Sequence, residues 1–318
     1  MSVHEFTRRR ALTLGGGVAA GALLAGTPVA GAKQLRSGPV LKQHGKLPAK
    51  RMQAILQAEG TVTTGVLSID IQRTDIGDVQ GPMGVTFTPS FEIDGTLTFE
   101  PLGDNLAFFN GDLPLLPQEV NPFIDAIIAN GLTFQALHQH YIEMTPPVWF
   151  IHWRGLGAPL ALAKAVRAAI GATATPFPQT MPTNPTTPLH PKRLAKILHG
   201  DAQVGDEGVV SVDVLRTDHI VIDRVRASPN SNIMTGVQFK PESSSGSTAA
   251  VGVDFSMTGS EVQPVVKTMR AQGWFVGCLY NQETQEHPQL FFSHMVKVGD
   301  PYALAKEVRQ GLDKTASE

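Results

Sequence analysis

A single cysteine, Cys278, stands in 318 residues, so no intrachain disulfide can form and the core must hold without covalent staples. Charge of one sign is equally scarce. Twenty-six lysines and arginines against 28 aspartates and glutamates leave a formal net charge of −2, which gives no electrostatic footprint for nucleic acid. No basic amphipathic stretch is present to hold an anionic membrane. Neither a nucleophile elbow, a phosphate loop nor a dinucleotide fingerprint occurs; Gly15-Gly16-Gly17 sits in an amino-terminal apolar run with no strand before it. What remains is ordinary globular composition, 42% hydrophobic and 17% charged, in a chain long enough for two domains.

The first 32 residues read as an address. Arg8-Arg9-Arg10 precede a Gly/Ala/Leu run from Ala11 to Gly26, and Ala30-Gly31-Ala32 offers small residues at a cleavage site. Basic, apolar and small-residue parts in that order make a signal peptide, and the paired arginines are of the bacterial twin-arginine type. The expectation is export by the Tat pathway to the periplasm or the medium. The run is too short and too glycine-rich for a membrane span, and no cysteine follows it for lipid attachment.

After a loose segment, 33–50, the chain is written twice. Arg51, Ile55, Leu56 and Val62 recur at a nearly constant offset as Arg193, Ile197, Leu198 and Val204. Ser68, Asp70 and Arg73-Thr74-Asp75 recur as Ser211, Asp213 and Arg216-Thr217-Asp218. Asp112, Glu119-Val120, His152 and Leu162-Ala163-Lys164 recur as Asp254, Glu261-Val262, His294 and Leu304-Ala305-Lys306. Register kept over that length marks a tandem duplication, with modules at 51–170 and 193–314. The proline- and threonine-rich segment 171–192 between them reads as an extended, semi-stiff linker.

Within one module, hydrophobic period and turn residues predict a short helix over 51–59, strands over 65–74, 97–99 and 106–113, and a helix from Pro117 to Ile128. A hairpin of 133–142 with 148–154 and an Ala/Leu-rich helix over 158–170 complete it. That order is a split βαβ, and a right-handed crossover puts the 148–154 strand between its two neighbours. The predicted fold class is α+β, two tandem ferredoxin-like modules packed as a pseudo-dimer. Asp70 with Arg73, and Asp213 with Arg216, read as structural ion pairs or caps.

Three histidines converge in this scheme. His138 and His140 are two apart on one strand and share a face. A turn centred near Pro146 sets His140 directly opposite His152, with Cβ atoms roughly 4.5–5.5 Å apart. Three imidazoles so arranged form a facial set for a divalent metal, zinc by default with copper or iron as alternatives. Asp112 and Glu143 are the nearest carboxylates, and Glu143 is the candidate general base. The bland alternative is a set of half-buried histidines bonded to backbone. The second copy has Tyr280 and Gln282 at the positions of His138 and His140, and keeps only His294, with an unmatched His287 at its turn. Retention of the full set in one copy assigns the expected site to the first module.

The string His138-Gln139-His140, Glu143, Pro146, Phe150, His152, Gly155, Gly157 and Leu162-Ala163 resembles the pattern of the LppY/LpqO-type bacterial domains. The resemblance covers both modules. It departs at Gln139, where Asn is usual, at Pro147, where Arg is usual, and in lacking a lipobox cysteine. It implies an exported, duplicated domain with a histidine site and implies no reaction. Three functions follow as expectations: an exported binding protein for a metal or polar ligand, a metal-dependent hydrolase of a cell-envelope substrate with Glu143 as base, and a structural envelope protein that binds a partner through its sheets.

Overall fold

The computed structural model describes residues 38–317; the expected export signal, 1–32, lies outside them. The duplication is visible in three dimensions. In the first module, helix α1 (Ala49–Leu56) leads into strands β1 (Thr61–Thr63), β2 (Val66–Gln72), β3 (Asp94–Pro101) and β4 (Ala107–Leu115). Helix α2 (Val120–Ala129), strands β5 (Thr133–His138) and β6 (Trp149–Gly157), and helix α3 (Pro159–Ile170) follow. The second module repeats this as α4 (Pro191–Leu198), β7 (Asp201–Val204), β8 (Val210–Val214), β9 (Thr235–Pro241), β10 (Ala249–Thr258), α5 (Gly259–Ala271), β11 (Phe275–Val276), β12 (Leu290–Gly299) and α6 (Pro301–Leu312).

Each module builds a six-stranded antiparallel sheet of one order, β1-β2-β3-β4-β6-β5 and β7-β8-β9-β10-β12-β11. The strand expected between its neighbours, β6, does sit between β4 and β5. Alternation explains how the sheets are used. Leu67, Ile69, Leu97, Phe109, Ile151 and Trp153 point to the helix side and pack with residues of α1, α2 and α3. Each fully buried Leu, Ile or Phe there contributes about 1.5–3 kcal/mol. The intervening residues, among them Ser68, Thr98, Asn110, Asp112 and His152, are polar. A polar sheet face normally meets water. Here it meets the second module instead, so the two sheets face each other.

Two apolar clusters seal that contact. In one, Phe87, Phe91, Tyr141 and Phe150 pack with Val209, Ala250 and Val296. In the other, Leu102 and Phe108 pack with Ile220, Ile222, Leu290 and Phe292. Polar bonds cross between them, including Arg154 Nη1 to Thr284 Oγ1 at 2.6 Å and Glu92 N to Gln238 Oε1 at 2.8 Å.

Several expectations are corrected. The 133–142 strand ends at His138, which pairs with Phe150, so the hairpin is centred near Met144 rather than Pro146 and Ala136, not His140, lies opposite His152. The segment before the first module is not loose where described: Leu41–Lys42 pairs in parallel with Val225–Arg226 of the second module. The 171–192 segment is tied down by side chains. Gln179 bonds both the backbone N and O of Gln72, and Leu189 is buried in the second core. The repeated arginines pair elsewhere than expected. Arg73 donates to Asp75 and Glu119 at 2.8 and 2.9 Å and to the Pro114 carbonyl. Arg216 does the same with Asp218, Glu261 and the Ser256 carbonyl. Each arginine thereby ties the end of a strand to the helix start that follows it. Among the described residues, no helix is long and apolar enough to cross a membrane.

Candidate metal and polar-ligand site

The polar faces of the two sheets enclose a cavity of about 150 Å³. His138 closes strand β5 and is the cross-strand partner of Phe150, which puts it on the same sheet face as His152. Two residues on, past the strand end, His140 turns onto the same side. Its ring stacks on Phe150 with centroids 3.3 Å apart. From the second module, His294 on β12 stacks on His140 at 3.5 Å, and Tyr280 stacks on His138 at 3.5 Å. Close aromatic stacking thus fixes the plane of His140 from both sides and those of His138 and His294 from one.

The ring-nitrogen ligand atoms of His138, His140 and His294 all lie within 4.8 Å of one another. His152 lies beside them, its ring 5.1 Å from that of His138, but outside that group. The site therefore spans the modules: the structure brings His138 and His140 together with His294, a residue sequence reasoning had set aside as part of the incomplete copy. Glu143, the expected base, is exposed in the following turn and does not line the cavity, and His287 is exposed in a short strand. Glu92, in a stretch without strand or helix period, was missed by sequence reasoning; its carboxylate lies 3.4 Å from His140 Nδ1.

Hydrogen bonding distinguishes these imidazoles from satisfied core histidines. Both nitrogens of His138, both of His152, and Nδ1 of His140 are buried without a hydrogen-bond partner. Each unsatisfied buried polar group costs about 1–3 kcal/mol. His294 has partners on both nitrogens, with Nδ1 3.4 Å from Cys278 Sγ and Nε2 3.7 Å from Asp254 Oδ2. Burial, reinforced by the neighbouring imidazoles, holds His138 and His294 well below the ordinary histidine range, and His152 at about 3. Burial likewise holds His140 well below that range, against the opposing influence of Glu92. Neutral imidazoles are the form that binds metal.

Carboxylates line the same space. Asp112 is the cross-strand partner of His152, and Asp254 is that of His294, one pair per repeat. Burial raises Asp112 to about 7, against the hydrogen bond from Thr96 N and with the help of Asp94. Burial raises Glu92 to about 8 against a bond from the Tyr141 hydroxyl. Acids poised near neutrality beside three buried imidazoles can bind a cation, exchange a proton with a bound water, or hold a polar ligand.

Two tandem stretches, 50–172 and 192–314, match the family described as Domain of Unknown Function (DUF1259), and the chain belongs to that family as two copies of the domain. No curated protein matches. Among solved structures, EtuB from Clostridium kluyveri is similar at 11% identity over 81% of this chain and 91% of that one, with a TM-score of 0.22. A trimeric bacterial microcompartment shell protein, PduB, is similar at 10% identity over 80% of this chain and 89% of its own, with a TM-score of 0.21. Superpositions that poor carry no argument about shape or activity.

Proposed function

We propose that this is an exported protein whose paired modules hold a divalent cation, zinc by the chemistry of the donors, through His138, His140 and His294. One observation carries the reading: three neutral imidazoles converge within 4.8 Å, and both buried nitrogens of His138 and Nδ1 of His140 have no hydrogen-bond partner. A bound cation offsets that desolvation, and His152 and Glu92 stand next to it. Metal analysis of the purified protein tests this. About one metal per chain, lost in His140→Ala, is expected for three ligands and an open position. Trace metal that His140→Ala leaves unchanged would sink the reading.

A second reading is favoured by the cavity and its carboxylates. A metal there lowers the pKa of bound water toward neutrality, and Asp112, rather than the exposed Glu143, has the burial and position of a general base. In this reading the protein hydrolyses a cell-envelope substrate. Asp112→Asn then keeps its metal and loses turnover; unchanged turnover excludes Asp112 as the base.

The twin arginines support Tat export to the periplasm, tested by replacing Arg8 and Arg9 with lysine and following the protein to the cytoplasm. The order β3-β4-β6-β5 with α2 and α3 on one face suits a ferredoxin-like plan in which β3 supplies the fourth strand. The histidine string supports the LppY/LpqO-type relationship.

A further inference from the structure

The repeated pair Ser68-x-Asp70 and Ser211-x-Asp213 has no structural duty of the kind its neighbours have. Arg73 and Arg216 are engaged by Asp75, Glu119, Asp218 and Glu261, and among the described residues no lysine or arginine pairs with Asp70 or Asp213. Both aspartates instead line a cleft of about 240 Å³ where the two sheets meet, together with Ser68, Ser211 and Asp94. Its outer wall includes the exposed residues Thr63 and Gln203, so it reaches the surface. Its inner wall is shared with the histidine cavity through Asp94, Thr96, Ser211, Asp213 and Gln238. Cleft and cavity are one passage.

The titratable side chains along this passage are acids and neutral imidazoles. Asp70, Glu92, Asp94, Asp112, Asp213 and Asp254 line it, and no lysine or arginine does. A lining of that kind repels phosphates and carboxylates and concentrates cations. At the inner end His152 is 4% exposed, and neither of its nitrogens has a partner. A neutral imidazole nitrogen accepts an N–H. Among the described residues, only His138, His140 and His294 meet the spacing for a single metal ion. The carboxylates are spread more widely, which suits a ligand with several separated donors rather than one ion. No aromatic side chain lines the outer cleft, so it lacks the cage that holds quaternary ammonium groups. Hydroxyls and amides, Ser68, Ser211, Thr96 and Gln238 among them, stand there instead.

We propose that the passage between the modules binds a small organic cation bearing primary or secondary amines, its inner amine on His152 and Asp112 and its outer polar groups between Asp70 and Asp213. The proposal uses the cavity of the metal reading but needs no metal.

Calorimetry on the full chain at low salt, with spermidine and with glucosamine, tests it; N-acetylglucosamine serves as the uncharged control. At least one amine binds at a single site, and which one binds separates a polyamine from an amino sugar. N-acetylglucosamine does not bind. Asp70→Asn with Asp213→Asn weakens the amine by at least about tenfold, as loss of two charge partners does, while the variant stays folded and its metal content stays as in the parent. Absence of binding by both amines overturns the proposal, as does equal binding of N-acetylglucosamine or an unweakened double variant. Amine binding by a chain that proves metal-free would sink the metal reading and leave this one standing.

Discussion

His138 and Tyr280 occupy equivalent positions in the two repeats, and their rings stack with centroids 3.5 Å apart. Equivalent residues that touch lie on the pseudo-two-fold axis relating the modules. The histidine cavity is therefore built at the axis, from both copies. If the metal site is joint, His294→Ala removes metal as completely as His140→Ala does, although His294 belongs to the copy that lost two histidines. Metal content by mass spectrometry checks this, and a His294→Ala protein with full metal content would return the site to one module.

Gly277 is the contact point between the second module and the loop that carries His140. A Cβ there would meet the carbonyl oxygen of His140 and the ring of Tyr141. Backbone cannot yield as a flexible side chain does, so Gly277→Ala pushes the loop away from His294. The expected result is a folded protein with metal affinity lower by about 10- to 100-fold, the range seen when ligand orientation is disturbed. Chelator competition measures it, and parental affinity would contradict the packing described.

Glu92 carries a pH signature. Burial raises its folded-state pKa from 4.5 to about 8. A raised carboxyl adds stability that is fully present below its unfolded value and is lost as pH climbs through the folded value. Glu92→Gln mimics the protonated form at every pH. Relative to the parent, the variant gains stability between pH 5 and pH 8 in chelated protein. Parallel melting curves across that interval would show the carboxyl is not protonated in the fold.

Arg73 is fully buried against Glu119 and Asp75, with Arg216 as its counterpart in the other copy. Removing one partner of such a buried pair costs about 3–5 kcal/mol, because the remaining carboxylate is left uncompensated. Arg73→Met is expected to lower the urea midpoint sharply, and Arg216→Met to do so by a similar amount. A midpoint within error of the parent would mean the cluster is only a surface pairing.

Much of this was legible in the residues. The repeat follows from a constant offset, the place of β6 between its neighbours from crossover handedness, and the shared face of His138 and His152 from alternation. What misled was local. The hairpin is centred near Met144 rather than Pro146, a loop length that periodicity does not give, and His140 lies past the strand end where cross-strand arithmetic no longer applies. The larger gap was the assumption that each module is complete in itself. A signal was present: Asp112 with His152, and Asp254 with His294, are kept in both copies, and two sheets with a polar face have reason to meet there. Glu92 left no trace, because it sits in an irregular segment whose position depends on Gln238 of the other module.

The linker that joins the modules has a meaning beyond tethering. In a dimer of identical chains, any residue on the axis must face itself, so every substitution there is made twice and has to suit both sides. Joining the copies in one polypeptide lifts that restriction. His138 can face a tyrosine and His140 a histidine from a different position, and the centre of the molecule is free to hold a lopsided set of side chains that a symmetric pair could not carry.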